Sequence, residues 1–255
     1  MRADAERWGV AGALFLWCAS LVVLRVERTG SLMYGFLCWN LFLAWIPWLA
    51  GQAFRASSRR RAPVIRQLGW FALWLLFLPN APYIATDLLH LRARPPVPLW
   101  YDLTLLLSCA GTGVLLGYVS LLDVQGAVED RFGRAAGWSV ATGSLFLSGF
   151  GIYLGRFLRW NSWEVLTEPA GLFGDIADRL LNPASHPRTY AVTLIFGSGL
   201  LLGYAALRLL VVRLPETLQA RHARRQRTQK ASDGWGPRVR SRPPSDRFYR
   251  TMRRG

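Results

Sequence analysis

Paired cysteines, zinc-protease helices and phosphate loops are all missing from this 255-residue chain. Its three cysteines, Cys18, Cys38 and Cys109, fall inside apolar runs with no Cys-x-x-Cys spacing. Neither a disulfide framework nor a thiolate metal site is expected, and all three read as small packing residues. There is no His-Glu-x-x-His, no Gly-Lys-Ser or Gly-Lys-Thr loop and no Gly-x-Ser-x-Gly, which removes three common enzyme signatures. No internal repeat is visible, and this weighs against the inverted-repeat build of many transporters. Acidic residues are scarce: 15 Asp and Glu face 31 Lys and Arg, for a formal charge of +16. No polar stretch inside residues 8–212 is long enough to hold a separate soluble core.

What the chain has instead is apolar surface: 52% hydrophobic residues, with 12 Trp and 13 Phe. Of the 31 basic residues, 13 lie from Arg213 onward, so charge and apolar content occupy different parts of the sequence. We read residues 1–212 as a multi-pass transmembrane domain and residues 213–255 as a basic cytoplasmic tail. With Pro215, Pro237, Pro243 and Pro244, the tail is expected to be disordered beyond a first helical stretch. Each Lys or Arg near an anionic leaflet contributes about 1 kcal/mol, so the expected partners are the bilayer and anionic lipid head groups. No stacking platform or recognition motif accompanies the charge, which weighs against nucleic acid.

Apolar runs at residues 8–24, 32–54, 67–84, 99–122, 136–158 and 190–212 are each near the roughly 20 residues that a span needs. The expected fold is therefore all-α, a polytopic transmembrane bundle of about six helices. The first run lacks a small-residue cleavage site and is expected to be retained. The third run is interrupted, and a five-helix count follows if it fails to cross. Basic residues are denser in the segments holding Arg2 and Arg7, Arg55 to Arg66, Arg131 and Arg134, and the tail. They are sparser in those holding Arg25 and Arg28, Arg92 and Arg94, and Arg159 to Arg188. That bias places both termini in the cytoplasm. Trp39, Trp45, Trp48, Trp70, Trp100, Trp138 and Trp160 lie near span ends, as interfacial anchors do. Gly113 with Gly117, Gly151 with Gly155 and Gly199 with Gly203 form Gly-x-x-x-Gly pairs that let backbones approach, here expected within one chain rather than across a dimer. In the outer loop, residues 159–189, Leu172, Phe173, Ile176 and Leu180 recur at helical spacing opposite Asp175, Asp178 and Arg179, which predicts a short amphipathic helix.

The chain is organised around Leu78-Pro79-Asn80-Ala81-Pro82-Tyr83-Ile84-Ala85-Thr86-Asp87-Leu88-Leu89-His90. Pro79 and Pro82 lack an N–H and disfavour α geometry at Leu78 and Ala81, so the helix from about Gln67 is expected to break there. Asn80, Tyr83 and Thr86 are placed to satisfy the freed carbonyls. Such a break either lines a site or simply ends one helix at the interface.

The topology brings Asp87, His90, Asp102, Arg156, Arg159, Asn161 and Glu164 to one side of the membrane. Arg156 and Arg159 are three apart and are expected to share one helix face, and Asp102 is expected to pair with Arg156. The candidate polar site is Asn80, Tyr83, Asp87, His90, Asp102, Arg156, Arg159 and Asn161, against the alternative that these charges only lock helix ends. Asp87 and His90 could exchange a proton or share a metal with His186, but two or three ligands make a weak motif. No metal or other cofactor is assigned, and no residue is named catalytic.

Four runs carry a family resemblance: Asn40-Leu41-Phe42-Leu43-Ala44-Trp45-Ile46-Pro47, the Leu78 to His90 segment with Leu91, Trp100-Tyr101-Asp102, and Ser148-Gly149-Phe150-Gly151-Ile152-Tyr153-Leu154-Gly155-Arg156-Phe157 on to Trp163. Across residues 32–205 the chain resembles the domain of unknown function 1361 family, with the first helix and the tail peripheral to the match. The resemblance implies a multi-pass protein of a bacterial or archaeal cell membrane and brings no activity with it. Three readings follow: small-ligand or ion binding or transport at the non-cytoplasmic polar site, a non-catalytic scaffold, and a membrane enzyme acting on a lipid-linked substrate.

Overall fold

The computed structural model describes residues 2–210, so the expectations for the tail lie outside the described residues. Among those residues there is no β-strand; the order is α1 (Arg2–Thr29), α2 (Phe36–Arg59), α3 (Val64–Phe77), α4 (Asn80–Tyr83), a 3-10 segment (Ile84–His90), α5 (Leu99–Tyr153), a π turn (Leu154–Leu158), α6 (Glu164–Thr167), α7 (Pro169–Leu181) and α8 (Pro187–Arg208). Among the described residues, four stretches are long and apolar enough to cross a membrane: Ala5–Thr29, Val64–His90, Leu99–Leu158 and Pro187–Arg208. α2 is not among them, because Asn40, Pro47, Gln52 and Arg55 dilute its apolar run. The last predicted run reaches beyond the described residues.

α5 is two arms, not one rod. Gly133 has φ 84° and ψ 169°, a conformation that a side chain disfavours, and it separates residues 99–132 from 134–153. The fourth and fifth apolar runs are these two arms.

A bundle in hydrocarbon gains little from hiding apolar surface, so close packing and polar links have to hold it. The packing is visible on α2, where Leu37, Leu41, Ala44 and Trp48 recur at helical spacing and are buried against Leu105, Leu106, Cys109 and Leu116 of α5. Cys18 of α1 joins this core. The polar links are ion pairs at both ends of α1. Arg7 Nη1 meets Asp123 Oδ1 at 3.1 Å, while Arg25 donates to Asp102 through Nε at 2.7 Å and Nη2 at 3.1 Å. At about 1.5 Å per residue the two arginines are about 27 Å apart along α1, and the two aspartates about 32 Å apart along α5. Those lengths match the roughly 30 Å of a bilayer's hydrocarbon.

The double-proline segment departs from expectation in an instructive way. Leu78 keeps α geometry (φ −54°, ψ −39°), as do Pro79 and Tyr83, so the chain stays right-handed helical while its hydrogen-bond register changes. A proline's preference against α geometry before it is a cost that surrounding contacts can offset, and here they do. Asn80 Nδ2 donates to Phe77 O at 3.0 Å, Thr86 Oγ1 to Tyr83 O at 2.7 Å, and Ser162 Oγ, from the far loop, to Leu76 O at 3.3 Å. Glycines supply the room. A Cβ on Gly113 would overlap the carbonyl of Ala81, and one on Gly117 would come within 2.9 Å of Ala81 Cβ. On the other arm, a Cβ on Gly151 would come within 2.6 Å of the Pro79 ring and one on Gly155 within 3.0 Å of the Tyr83 ring. Two of the three glycine pairs thus cradle the break from opposite sides, inside one chain. Of the third pair, Gly203 approaches Tyr118 and Gly199 faces open space.

One of the tryptophans expected near span ends lies in the core. Trp100 and Trp39 are exposed, but Trp48 is buried and packs on Trp8 and Trp45 at centroid distances of 4.6 and 5.0 Å.

Candidate functional site

Between the start of α2, α3, the proline break, the second arm of α5 and α7 lies a groove of about 760 Å³. Its wall is mainly apolar and aromatic, with Trp39, Phe150, Trp163 and Phe173 among the lining residues. One end is polar. Asn80, Tyr83, Asp87, His90, Arg156 and Asn161 all line it.

Asp87 is the hub. Its side chain is almost wholly buried and receives Arg156 Nη1 on Oδ1 at 3.2 Å and Asn40 Nδ2 on Oδ2 at 3.3 Å, with His90 Nδ1 3.9 Å away. A buried carboxylate is tolerated only with such partners. Arg156 also donates through Nη2 to Thr86 O at 3.1 Å, a carbonyl at the 3-10 turn, and touches His90 Nδ1 at 2.7 Å. The same Nη2 lies 3.3 Å from His90 Nε2, so the imidazole packs directly against the guanidinium. Three of the five guanidinium donors are engaged in this way, and Nε with one Nη1 hydrogen remain for a ligand. Arg156 keeps 15% side-chain exposure and His90 keeps 54%, so the cluster is open on the groove side.

Two candidate residues sit elsewhere. Asp102 does not pair with Arg156: in the first turn of α5 it faces α1, and Arg25 takes it in a two-bond pair in which the side chains are 3% and 0% exposed. Arg159 does not share a face with Arg156 either. The π turn ends at Arg159 in the left-handed region (φ 67°), Trp160 N closes back on Leu154 O at 3.1 Å, and the Arg159 side chain is exposed. Asn161 lines the groove but bonds Glu164 through its backbone N and side-chain amide. Asn80 adds a bond to Ser162 Oγ at 2.9 Å, which ties the break to the far loop.

α7 closes one side of the groove with Leu172, Phe173 and Ile176, while Leu180 is exposed. Arg179, expected on the polar face, is buried because its guanidinium lies over the Tyr153 ring and bonds Asp175 at 2.9 Å. Trp160 Nε1 donates to Asp175 Oδ2 at 2.7 Å, so α7 is pinned to the loop that follows α5. His186 bonds Asp178 at 2.7 Å and contributes nothing to the Asp87 cluster. Among the described residues no three His, Cys, Asp or Glu side chains are arranged to hold a metal ion.

A helical bundle that has, among the described residues, four helices long and apolar enough to cross a membrane is the build of a membrane protein. Residues 39–202 match the family described as Protein of unknown function (DUF1361), and the chain belongs to that family. The matched span contains the whole Asp87 cluster and begins after α1. No curated protein and no solved structure matches the chain.

Proposed function

We propose that the groove binds a small amphiphilic molecule, its apolar body against the aromatic walls and one anionic group at Arg156. The observation that carries this reading is Arg156 itself: a guanidinium held in place by Asp87, Thr86 O and His90, with two donors left over at the end of an apolar groove. Pockets for such ligands combine an apolar lining with a few fixed polar groups. The same proposal includes a multi-pass topology. The 60 residues of Leu99–Leu158 fold at Gly133 and cross twice, α2 crosses under the cover of its neighbours, and both termini are cytoplasmic, so that the polar end of the groove opens on the other side. Residues 1–212 then form the membrane domain and residues 213–255 a basic tail held by anionic head groups.

The test uses a brominated long-chain fatty acid, which quenches only the tryptophans it touches, added to the protein in nanodiscs. Quenching of Trp39 and Trp163 is expected in the parent and is assigned by Trp39→Phe and Trp163→Phe. Arg156→Gln should raise the half-quenching concentration about tenfold, since a charge-assisted hydrogen bond contributes about 1.5–3 kcal/mol. Identical titrations for parent and Arg156→Gln would sink the reading. A non-catalytic scaffold is the second reading, favoured by the Arg25 and Asp102 pair, which has no open face.

A further inference from the structure

At the opposite end of α2 from the groove is a second cavity, of about 520 Å³, that shares no lining residue with it. It is bounded by the start of α1, the end of α2 and Asp123 of α5. Its charge is one-sided. Arg7, Arg55, Arg59 and Arg60 line it against a single carboxylate, Asp123. Asp123 is buried and takes both Arg7 and Arg55 on Oδ1, so it fixes two guanidiniums and neutralises one charge. Arg59 and Arg60 have no carboxylate partner among the described residues. Two donors are stranded at the same place: Trp48 Nε1 and Arg55 Nε are buried with no hydrogen-bond partner. Buried donors without acceptors are uncommon in folded proteins, and here two of them lie beside a cluster of guanidiniums.

We propose that this cavity binds a phosphate group carried by an organic substituent. A ligand here has to be anionic, to offset three positive charges that no carboxylate among the described residues balances, and rich in acceptors, to serve several guanidinium forks and the indole N–H. A carboxylate offers one charge and two oxygens, which Asp123 already supplies. A phosphate ester offers up to two charges and several oxygens that match guanidinium geometry. The volume exceeds what a bare phosphate needs and leaves room for a glycerol or sugar. Trp8, 43% exposed and tilted over Trp48, forms an apolar lip where such a substituent meets the chain's apolar surface.

A phospholipid head group and a soluble phosphomonoester present the same chemistry, and two arms separate them. In the first, glycerol 3-phosphate is titrated into the full-length protein in phosphatidylcholine nanodiscs, followed by thermal shift. In the second, retention of phosphatidic acid is measured by native mass spectrometry after delipidation. Arg59→Gln/Arg60→Gln removes two unpartnered exposed charges without touching Asp123, and Trp48→Phe removes one N–H while keeping the ring. The double variant should weaken binding at least tenfold and Trp48→Phe several-fold in whichever arm responds. Attraction of lipid to the tail is common to parent and variants and cancels in the comparison. Response in the lipid arm alone identifies a head group; response in both identifies a site open to soluble phosphomonoesters. No binding in either arm, or affinities equal to the parent in both variants, would overturn the proposal.

Discussion

Asp102→Asn removes one charge from a pair that has no route to water. In the parent, Arg25 donates twice to Asp102, its guanidinium lies 4.5 Å from the Tyr34 ring centroid, and Tyr101 beside Asp102 donates to Leu21 O at 2.7 Å. The amide keeps the shape and loses the charge, leaving a buried guanidinium facing a neutral group and an aromatic face. Breaking a buried pair from one side costs about 3–5 kcal/mol, because the stranded ion cannot be rehydrated in place. For a chain of this size each kcal/mol moves the midpoint by about 2–4 °C, so a fall on the order of 10 °C is expected in a detergent thermal-unfolding assay. Arg25→Met with Asp102→Leu removes both charges and should lie closer to the parent than either single change, since an apolar replacement of a buried pair is often neutral. Arg92→Gln, exposed and with no partner among the described residues, is the control and should not move the midpoint. An Asp102→Asn midpoint within about 2 °C of the parent would refute the reasoning, because it would mean that water or rearrangement reaches this pair.

Gly113→Ala pushes a methyl group into the backbone carbonyl of Ala81, which cannot swing aside, so a loss of about 1–3 kcal/mol is expected by thermal unfolding, against no loss for Gly199→Ala. Gly133→Ala meets no neighbour but must hold φ near 84°, and should cost about 1–3 kcal/mol of strain; a midpoint equal to the parent's would show that the two arms of α5 do not need this turn. The Asp178 carboxyl is held below its ordinary range, first by the Asn182 amide and then by His186. A depressed carboxyl stabilises the fold above its unfolded value, about 4, and loses that contribution as pH falls through the lower folded value. Amide exchange at the end of α7, corrected for intrinsic rate, should therefore rise as pH falls below about 4, with Asp178→Asn abolishing the rise.

The interrupted helix was legible because two prolines three residues apart leave few alternatives, and Asn80 and Thr86 could be matched to the freed carbonyls by reach alone. The geometry at Leu78 was not legible, since it depends on glycines of two other helices that make room for the break. Asp87, His90 and Arg156 could be grouped from topology, as each follows or ends an apolar run on the same side. Asp102 was assigned the wrong partner for a related reason: Arg25 lies one residue past its run and reads as a loop charge, although only contact between α1 and α5 decides between it and Arg156. Arg159 failed on a local detail, a left-handed residue at the helix end, for which neither glycine nor asparagine gave warning. Asn40 lay in a motif run with no charge nearby in sequence, and Asp123 lay just beyond an apolar run, where a carboxylate suggests a span end rather than a buried anchor.

The ion pairs at the two ends of α1 also act as a caliper. Sliding α1 along α5 by one turn, about 5.4 Å, would break both pairs at once, so the two helices keep a fixed register. A bilayer thinner or thicker than the distance between the clasps must then be met by tilting the clasped pair as a unit or by deforming the lipid around it, at fractions of a kcal/mol per Å of mismatch. α8, whose apolar window is only 11% buried, is held to α5 by neutral links as well, Tyr118 Oη donating to Leu200 O at 2.9 Å and Tyr204 Oη to Gln125 Oε1.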